Sequence, residues 1–365
     1  MEKIKKSNLI VYIFFIAITF CKGIGFSNSN NIYICIYALG VALLILKIIK
    51  DKISKKEFFN IFSILCIGVL DFFIGGETTI LFTAIALCSL KNISIDNIIK
   101  IMFWTRVVSF VILFVFSSLG IIDNNTLIFY RESEGGFITR NSFGFSHPNI
   151  AHSALTLIVI LYGYIFYNKI NTFNMILLEL LNILLYQFTF SRTGFFITTI
   201  YVLFLFMVKK FKFVRNALPK ILNITLIMCL IFTFFMAFGY GKIGFINDLD
   251  SLLTGRIRYM NILVKSYNIP IIGKIDYNNI LFDNGYISLL YTGGILATSW
   301  FLFQQIKTNN IIKNRKTEEM IITIILMIYS LFESFYANIL MNPALLFFAY
   351  YIFGNTEKGN GKENE

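Results

Sequence analysis

Apolar residues fall into twelve stretches along the chain, at roughly 8–21, 31–49, 58–75, 77–90, 101–121, 150–167, 173–190, 194–208, 221–240, 284–303, 319–337 and 341–354. Short polar segments separate them, and two longer polar intervals, 122–149 and 241–283, interrupt the series. A hydrocarbon core of about 30 Å takes about 20 residues of helix. A soluble core could not hide this many apolar helices. The pattern therefore predicts an all-α, polytopic membrane protein of about 12 transmembrane helices with two long extracytoplasmic loops. Residues 1–365 read as a single integral-membrane domain that ends in a polar tail, 355–365. The first stretch follows a basic head, but no small-residue cleavage site precedes Cys21, so it reads as a retained helix and not a signal peptide.

Charge gives the chain a direction. Charged residues make up 14% of the sequence, against about 25% in soluble domains, and the surplus of Lys and Arg leaves a net charge of +12. Placing Lys3, Lys5 and Lys6 in the cytoplasm also puts the basic segments 47–56, 209–220 and 307–316 inside. That agrees with the positive-inside tendency and makes both termini cytoplasmic. The basic loops then face an acidic inner leaflet; they carry few aromatics and no nucleic-acid module. The five cysteines lie in or beside apolar runs without a C-x-x-C pair, which fits small buried hydrophobes better than a disulfide framework or thiolate metal site.

With this orientation the two long intervals face outward, and the chemistry-bearing residues collect there. RNSFGFSHPNIAHS (140–153) holds both histidines of the chain, His147 and His152. Proline is favoured at the first position of a helix, so Pro148 is expected to open the sixth helix with His147 at its cap and His152 about one turn further in. A helix start carries free N–H groups and the positive end of a dipole, which suits an anion. His147 is also expected to stay neutral there and able to accept a proton. Of the external arginines, Arg140, Arg192 and Arg256 stand beside other polar residues or glycine at helix ends. Arg258 follows closely, while Arg131, among Glu132 and Glu134, reads as a solvated charge. Guanidinium grips phosphate bidentately. Asp71, Arg106, Glu179 and Glu333 fall at membrane depth, where charges are costly and usually paired or functional. Asp248 and Asp250 resemble a metal-binding Asp-x-Asp, but two acids before a helical stretch more often cap it. No metal or other cofactor is expected.

These segments resemble the Wzy-type polymerases of bacterial capsule and O-antigen pathways, within the O-antigen ligase and polymerase superfamily. The resemblance rests on RNSFGFSHPNIAHS, then FSRTGFF, then LTGRIRYMNILVKSYNIPIIG and DNGYISLLYTGGI, in that order over residues 138–296. It implies a glycosyltransferase of the bacterial cell membrane acting on the outer face. A growing glycan would pass from undecaprenyl diphosphate to the next lipid-linked repeat unit, with no nucleic acid involved. A chain-length regulator is a further partner class. Under the resemblance, Arg140, Arg192, Arg256 and Asn149 are diphosphate-binding candidates, and the neighbouring Arg258 is added to them from its position alone. His147 and Asp283 are candidates for the base, and His152, Asn284, Glu179 and Glu333 are further candidates. The chain departs from the pattern where ligases carry a histidine before the asparagine of the second loop: here Asp283 precedes Asn284. The Arg-x10-Gly spacing of some polymerases is also missing after the external arginines.

Two other function classes compete. A flippase of lipid-linked repeat units would keep its charges in a central cavity and have short loops on both sides. A ligase that attaches finished glycan to a different acceptor would share the fold.

Overall fold

The computed structural model describes residues 6–26, 30–131, 135–273 and 283–354; the polar tail 355–365 and Lys3 and Lys5 lie outside them. The chain is mainly helical, at 74%. Among the described residues, seven helices are long and apolar enough to cross a membrane: Asn31–Lys50, Lys55–Gly75, Ile95–Ser118, Pro148–Ile165, Thr172–Thr189, Arg192–Lys210 and Lys212–Gly239. Large apolar side chains stand exposed on them, such as Phe73, Ile49 and Phe213 at 79%, 73% and 71%. Apolar surface on that scale needs a partner phase, and a bilayer supplies it.

The chain packs as two compact units. The first combines Met1–Leu43 with Ile95–Arg215. Here α1 (Lys6–Gly23) packs on α5 (Ile95–Ser118), and α5 packs on α6 (Pro148–Ile165). Helix α6 also meets α7 (Thr172–Thr189) and α8 (Arg192–Lys210). The apolar window of α6 is 67% buried against 28% for α7, so α6 is the central helix of this unit. Close approach there depends on Gly163, where a Cβ would fall on the Tyr201 hydroxyl. That hydroxyl donates to the Ile160 carbonyl at 3.0 Å.

The interval 122–149 is not a plain loop. It contains an antiparallel hairpin of β1 (Thr126–Arg131) and β2 (Gly136–Asn141), with Leu127 opposite Arg140 and Phe129 opposite Ile138. Six successive residues rich in β-branched and aromatic side chains on each side, with Gly135–Gly136 at the turn, explain it. The all-α expectation is corrected to that extent.

The second unit combines Leu44–Ser94 with Asn216–Glu365. Helix α2 (Asn31–Lys50) leads into it. Helix α3 (Lys55–Gly75) starts on a reciprocal cap between Ser54 and Glu57. It packs on α4 (Thr79–Cys88) at Gly68, where a Cβ would lie 2.8 Å from Leu81 Cα. After α9 (Lys212–Gly239), the interval 241–283 forms two short helices, α10 (Gly244–Leu252) and α11 (Arg256–Ser266). Ile246, Ile257, Met260 and Leu263 bury these helices against Met236, Ile287 and Tyr291.

Three of the expected twelve stretches are built differently. The one at 284–303 is divided into α12 (Gly285–Thr292) and α13 (Gly294–Ile312). Gly294 has φ +74, and a Cβ on it would meet the Ile271 carbonyl oxygen at 2.5 Å, so only glycine fits the break. The stretch at 319–337 is helical only in α14 (Thr317–Tyr329). Beyond Tyr329 the chain turns repeatedly. Asn342 donates to the Tyr336 carbonyl at 2.8 Å and Asn338 accepts from the Leu340 N–H at 3.0 Å, side-chain bonds that replace helical ones. The last stretch is a 3-10 helix (Pro343–Phe347) followed by α15 (Phe348–Phe353). Helices α4 and α15 are too short to span a bilayer alone.

Candidate functional site

Each unit carries one cluster of the residues singled out from the sequence. In the first unit Pro148 opens α6 and His147 is its N-cap, with extended backbone at φ −155. His147 Nδ1 accepts from the Asn149 N–H at 3.0 Å. One amide of the helix start is thereby satisfied. In a neutral imidazole, an accepting Nδ1 places the proton on Nε2.

Arg140, the fifth residue of β2, is 6% exposed. Its Nε donates to the Thr189 carbonyl at 2.8 Å, and a terminal nitrogen donates to Asn149 Oδ1 at 2.5 Å. It therefore ties the hairpin to the end of α7 and the start of α6. Arg192 is the first residue of α8, half-buried, just after Phe190 and Ser191. Phe190 takes a left-handed backbone at φ +47 to close α7, a costly conformation for a bulky residue.

Beneath them His152 is fully buried. Its Nδ1 lies 2.9 Å from Thr189 Oγ1 and its Nε2 2.9 Å from Asn182 Oδ1. Asn182 donates onward to Glu179 Oε1 at 3.2 Å, which also receives the Thr199 hydroxyl at 2.6 Å. Gly194 makes room for this chain: a Cβ there would stand 2.6 Å from the imidazole. Asn182 and Thr189 were not singled out from the sequence. Their signal was the spacing of Glu179, Asn182 and Thr189, which sets them along one helix face.

The second unit holds Arg256, Arg258, Asp283, Asn284 and Glu333. Arg256 is the first residue of α11, after Gly255 at φ +85. Its Nε lies 3.7 Å from Asp283 Oδ2 and its Nη1 3.4 Å from Glu333 Oε1; Nη1 also donates to the Phe332 carbonyl. Both carboxylate distances exceed the roughly 2.7–2.9 Å of a tight charged hydrogen bond. The side chains of Arg256, Glu333 and Asp283 are 11%, 22% and 31% exposed, so the group is open to a ligand. Glu333 follows the end of α14 and lies outside the seven long helices. Burial pushes its carboxyl up to about 7, against the downward pull of Arg256, and neighbouring Asp283 adds to the rise.

Asn284 is bonded within the fold. Its Oδ1 caps α12 by accepting from the N–H groups of Tyr286 and Ile287, both at 3.0 Å. Its amide donates to Thr233 Oγ1 and the Leu331 carbonyl. Gly285 then brings the two carboxylate-bearing segments together: a Cβ there would lie 2.9 Å from the Glu333 carbonyl oxygen. Arg258 is exposed, over the Tyr259 ring at 5.6 Å. Asp250 accepts from the N–H groups of Ile257 and Arg258 at 2.8 and 3.0 Å, so it caps α11. Among the described residues no three His, Cys, Asp or Glu side chains gather to hold a metal ion. The five cysteines are free.

No protein-family model, curated protein or solved structure matches the chain.

Proposed function

We propose that the chain is a membrane glycosyltransferase, a polysaccharide repeat-unit polymerase of the bacterial cell membrane. It would move a growing glycan from a polyprenyl diphosphate to the next lipid-linked repeat unit at the outer face. The observation that carries this reading is Arg256, held loosely between Asp283 and Glu333. Glycan transfer needs a cation for the diphosphate leaving group and a base for the acceptor hydroxyl. This group has both. Arg256 Nη1 holds the Phe332 carbonyl, but its Nε and Nη2 edge can turn to phosphate oxygens, because neither carboxylate holds it tightly. Glu333, with its carboxyl raised to about 7, is suited to taking a proton near neutral pH, and Asp283 shares that role. In the first unit, the start of α6 and Arg192 offer N–H groups and a guanidinium for the same class of anion. In this reading about twelve segments lie in the membrane, the shorter helices among them; the eleventh ends with α14 at Tyr329, so Glu333 stands at the outer face, and both termini are cytoplasmic.

The buried chain His152–Asn182–Glu179 favours a second reading, a transporter of lipid-linked repeat units, since such polar chains within membrane helices suit ion movement. Surface glycan from a strain lacking the gene separates the two. Single repeat units outside with no ladder support polymerisation. Lipid-linked units accumulating inside support transport.

A further inference from the structure

A cavity of about 410 Å³ in the second unit adjoins the Arg256 group. It lies beside Gly285, two residues after Asp283, and Ser334, next to Glu333. Its polar wall is made by Glu77, Thr79, Ser288, Thr292, Ser334 and Asn338. Among the described residues no lysine or arginine lines it. Among the described residues, the side chains of Glu77, Thr79, Ser288 and Ser334 form no hydrogen bond, so their donors and acceptors remain available to a guest. The volume is in the range of small-molecule sites.

The composition of the wall selects its guest. A diphosphate would meet the Glu77 carboxylate with no cation among the described wall residues to offset it. Hydroxyls, an amide and one carboxylate match a polyhydroxylated ring: a carboxylate can accept from two neighbouring sugar hydroxyls, while Ser and Thr both donate and accept. We propose that this cavity is a saccharide subsite, which holds one or two uncharged sugar units of the glycan beside the Arg256 group. The proposal rests on the glycan-transfer reading of that group. It places the charged diphosphate at Arg256 and the neutral sugars at Glu77 and Ser288.

The test uses the full-length protein in phosphatidylcholine nanodiscs. The probes are the repeat-unit oligosaccharide of the native strain, freed of its lipid diphosphate by mild acid, and inorganic pyrophosphate. Wild-type protein is expected to bind the oligosaccharide saturably. Glu77→Gln and Ser288→Val are expected to weaken that binding at least tenfold while binding pyrophosphate as wild type does, which also verifies that they fold. The proposal is overturned if wild type does not bind the oligosaccharide, or if both folded variants bind it unchanged. Should either variant fail to fold, Ser334→Ala and Thr79→Val decide on the same criteria. The ladder of surface glycan separates this idea from the reading it rests on. Weakened sugar binding in the variants, with an unaltered ladder after gene deletion, removes the polymerase and keeps the subsite. A ladder lost on deletion but complete in both variants removes the subsite and keeps the polymerase.

Discussion

Arg140 and Arg256 look alike in sequence, each an external arginine at a helix or strand end beside polar residues, yet the two units hold them in opposite ways. Arg140 is buried and already bonded to a backbone carbonyl and an asparagine at 2.8 and 2.5 Å. Arg256 is more open: Nη1 meets the Phe332 carbonyl, and the two carboxylates stand off at 3.4 and 3.7 Å. The first arrangement is costly to disturb and leaves the guanidinium little freedom. The second keeps a cation and two proton acceptors within reach of a ligand. The difference teaches that an arginine's role depends on how far its donors are already satisfied, which a motif does not reveal.

The largest expected effect comes from breaking the open group. Arg256→Ala should lower polymer formation by about 10²–10³-fold, the scale of losing a preorganised charge at a developing anion. Thermal stability in detergent should fall by about 1–2 kcal/mol, because the Phe332 carbonyl loses a donor while the two long carboxylate contacts contribute little. Arg256→Lys should also fail to restore polymer, since an ammonium cannot fork. Arg140→Ala should show the reverse balance. It should destabilise the fold by about 2–3 kcal/mol, since the Thr189 carbonyl and Asn149 amide lose a charged donor in a buried place. Equal melting temperatures for the two variants would erase the contrast.

Glu333 sharpens the same comparison through pH. If its ionised form is the base, polymer formation should rise as pH passes through about 7, and Glu333→Gln should flatten that rise at a low level. Stability should move the other way. A carboxyl whose folded pKa lies above its ordinary value binds protons more tightly in the folded state. Its contribution is full below the ordinary carboxylate range and is lost as pH rises toward 7. Wild type should therefore melt at a lower temperature at pH 8 than at pH 5, with a smaller difference in Glu333→Gln.

Asp250→Ala should cost about 1 kcal/mol by removing the cap on α11, and polymer should fall only as far as Arg256 is displaced. Polymer formation rescued by added divalent ion after EDTA treatment would instead return Asp248 and Asp250 to a metal-binding role. The smallest effect belongs to Arg258→Ala: an exposed side chain over Tyr259 should change activity by less than about threefold, near the scale of a surface charge.

The membrane class was legible in the sequence because long apolar runs have few other homes, and the start of α6 was legible because Pro148 and His147 obey a local rule. The hairpin in 122–149 was not read, because its strands are short and their pairing joins residues across a turn. The break between α12 and α13 lay in Gly293–Gly294, a signal overridden by the apolar residues around it. The end of α14 at Tyr329 was hidden likewise, since LFESFYANIL is apolar enough to continue a helix and is redirected by side-chain bonds of Asn338 and Asn342. Within the sites, Arg256, Asp283 and Glu333 were each named from the sequence. Their convergence was not visible, because Glu333 joins the other two only through folding of the last third of the chain.

The measurement that tests the central claim most directly is a gel of surface glycan from cells carrying Arg256→Ala in place of the wild-type gene, with protein abundance in the membrane verified alongside. At normal abundance the account predicts single repeat units on the surface and no ladder. A full ladder, or an empty surface with lipid-linked units retained inside, would contradict it.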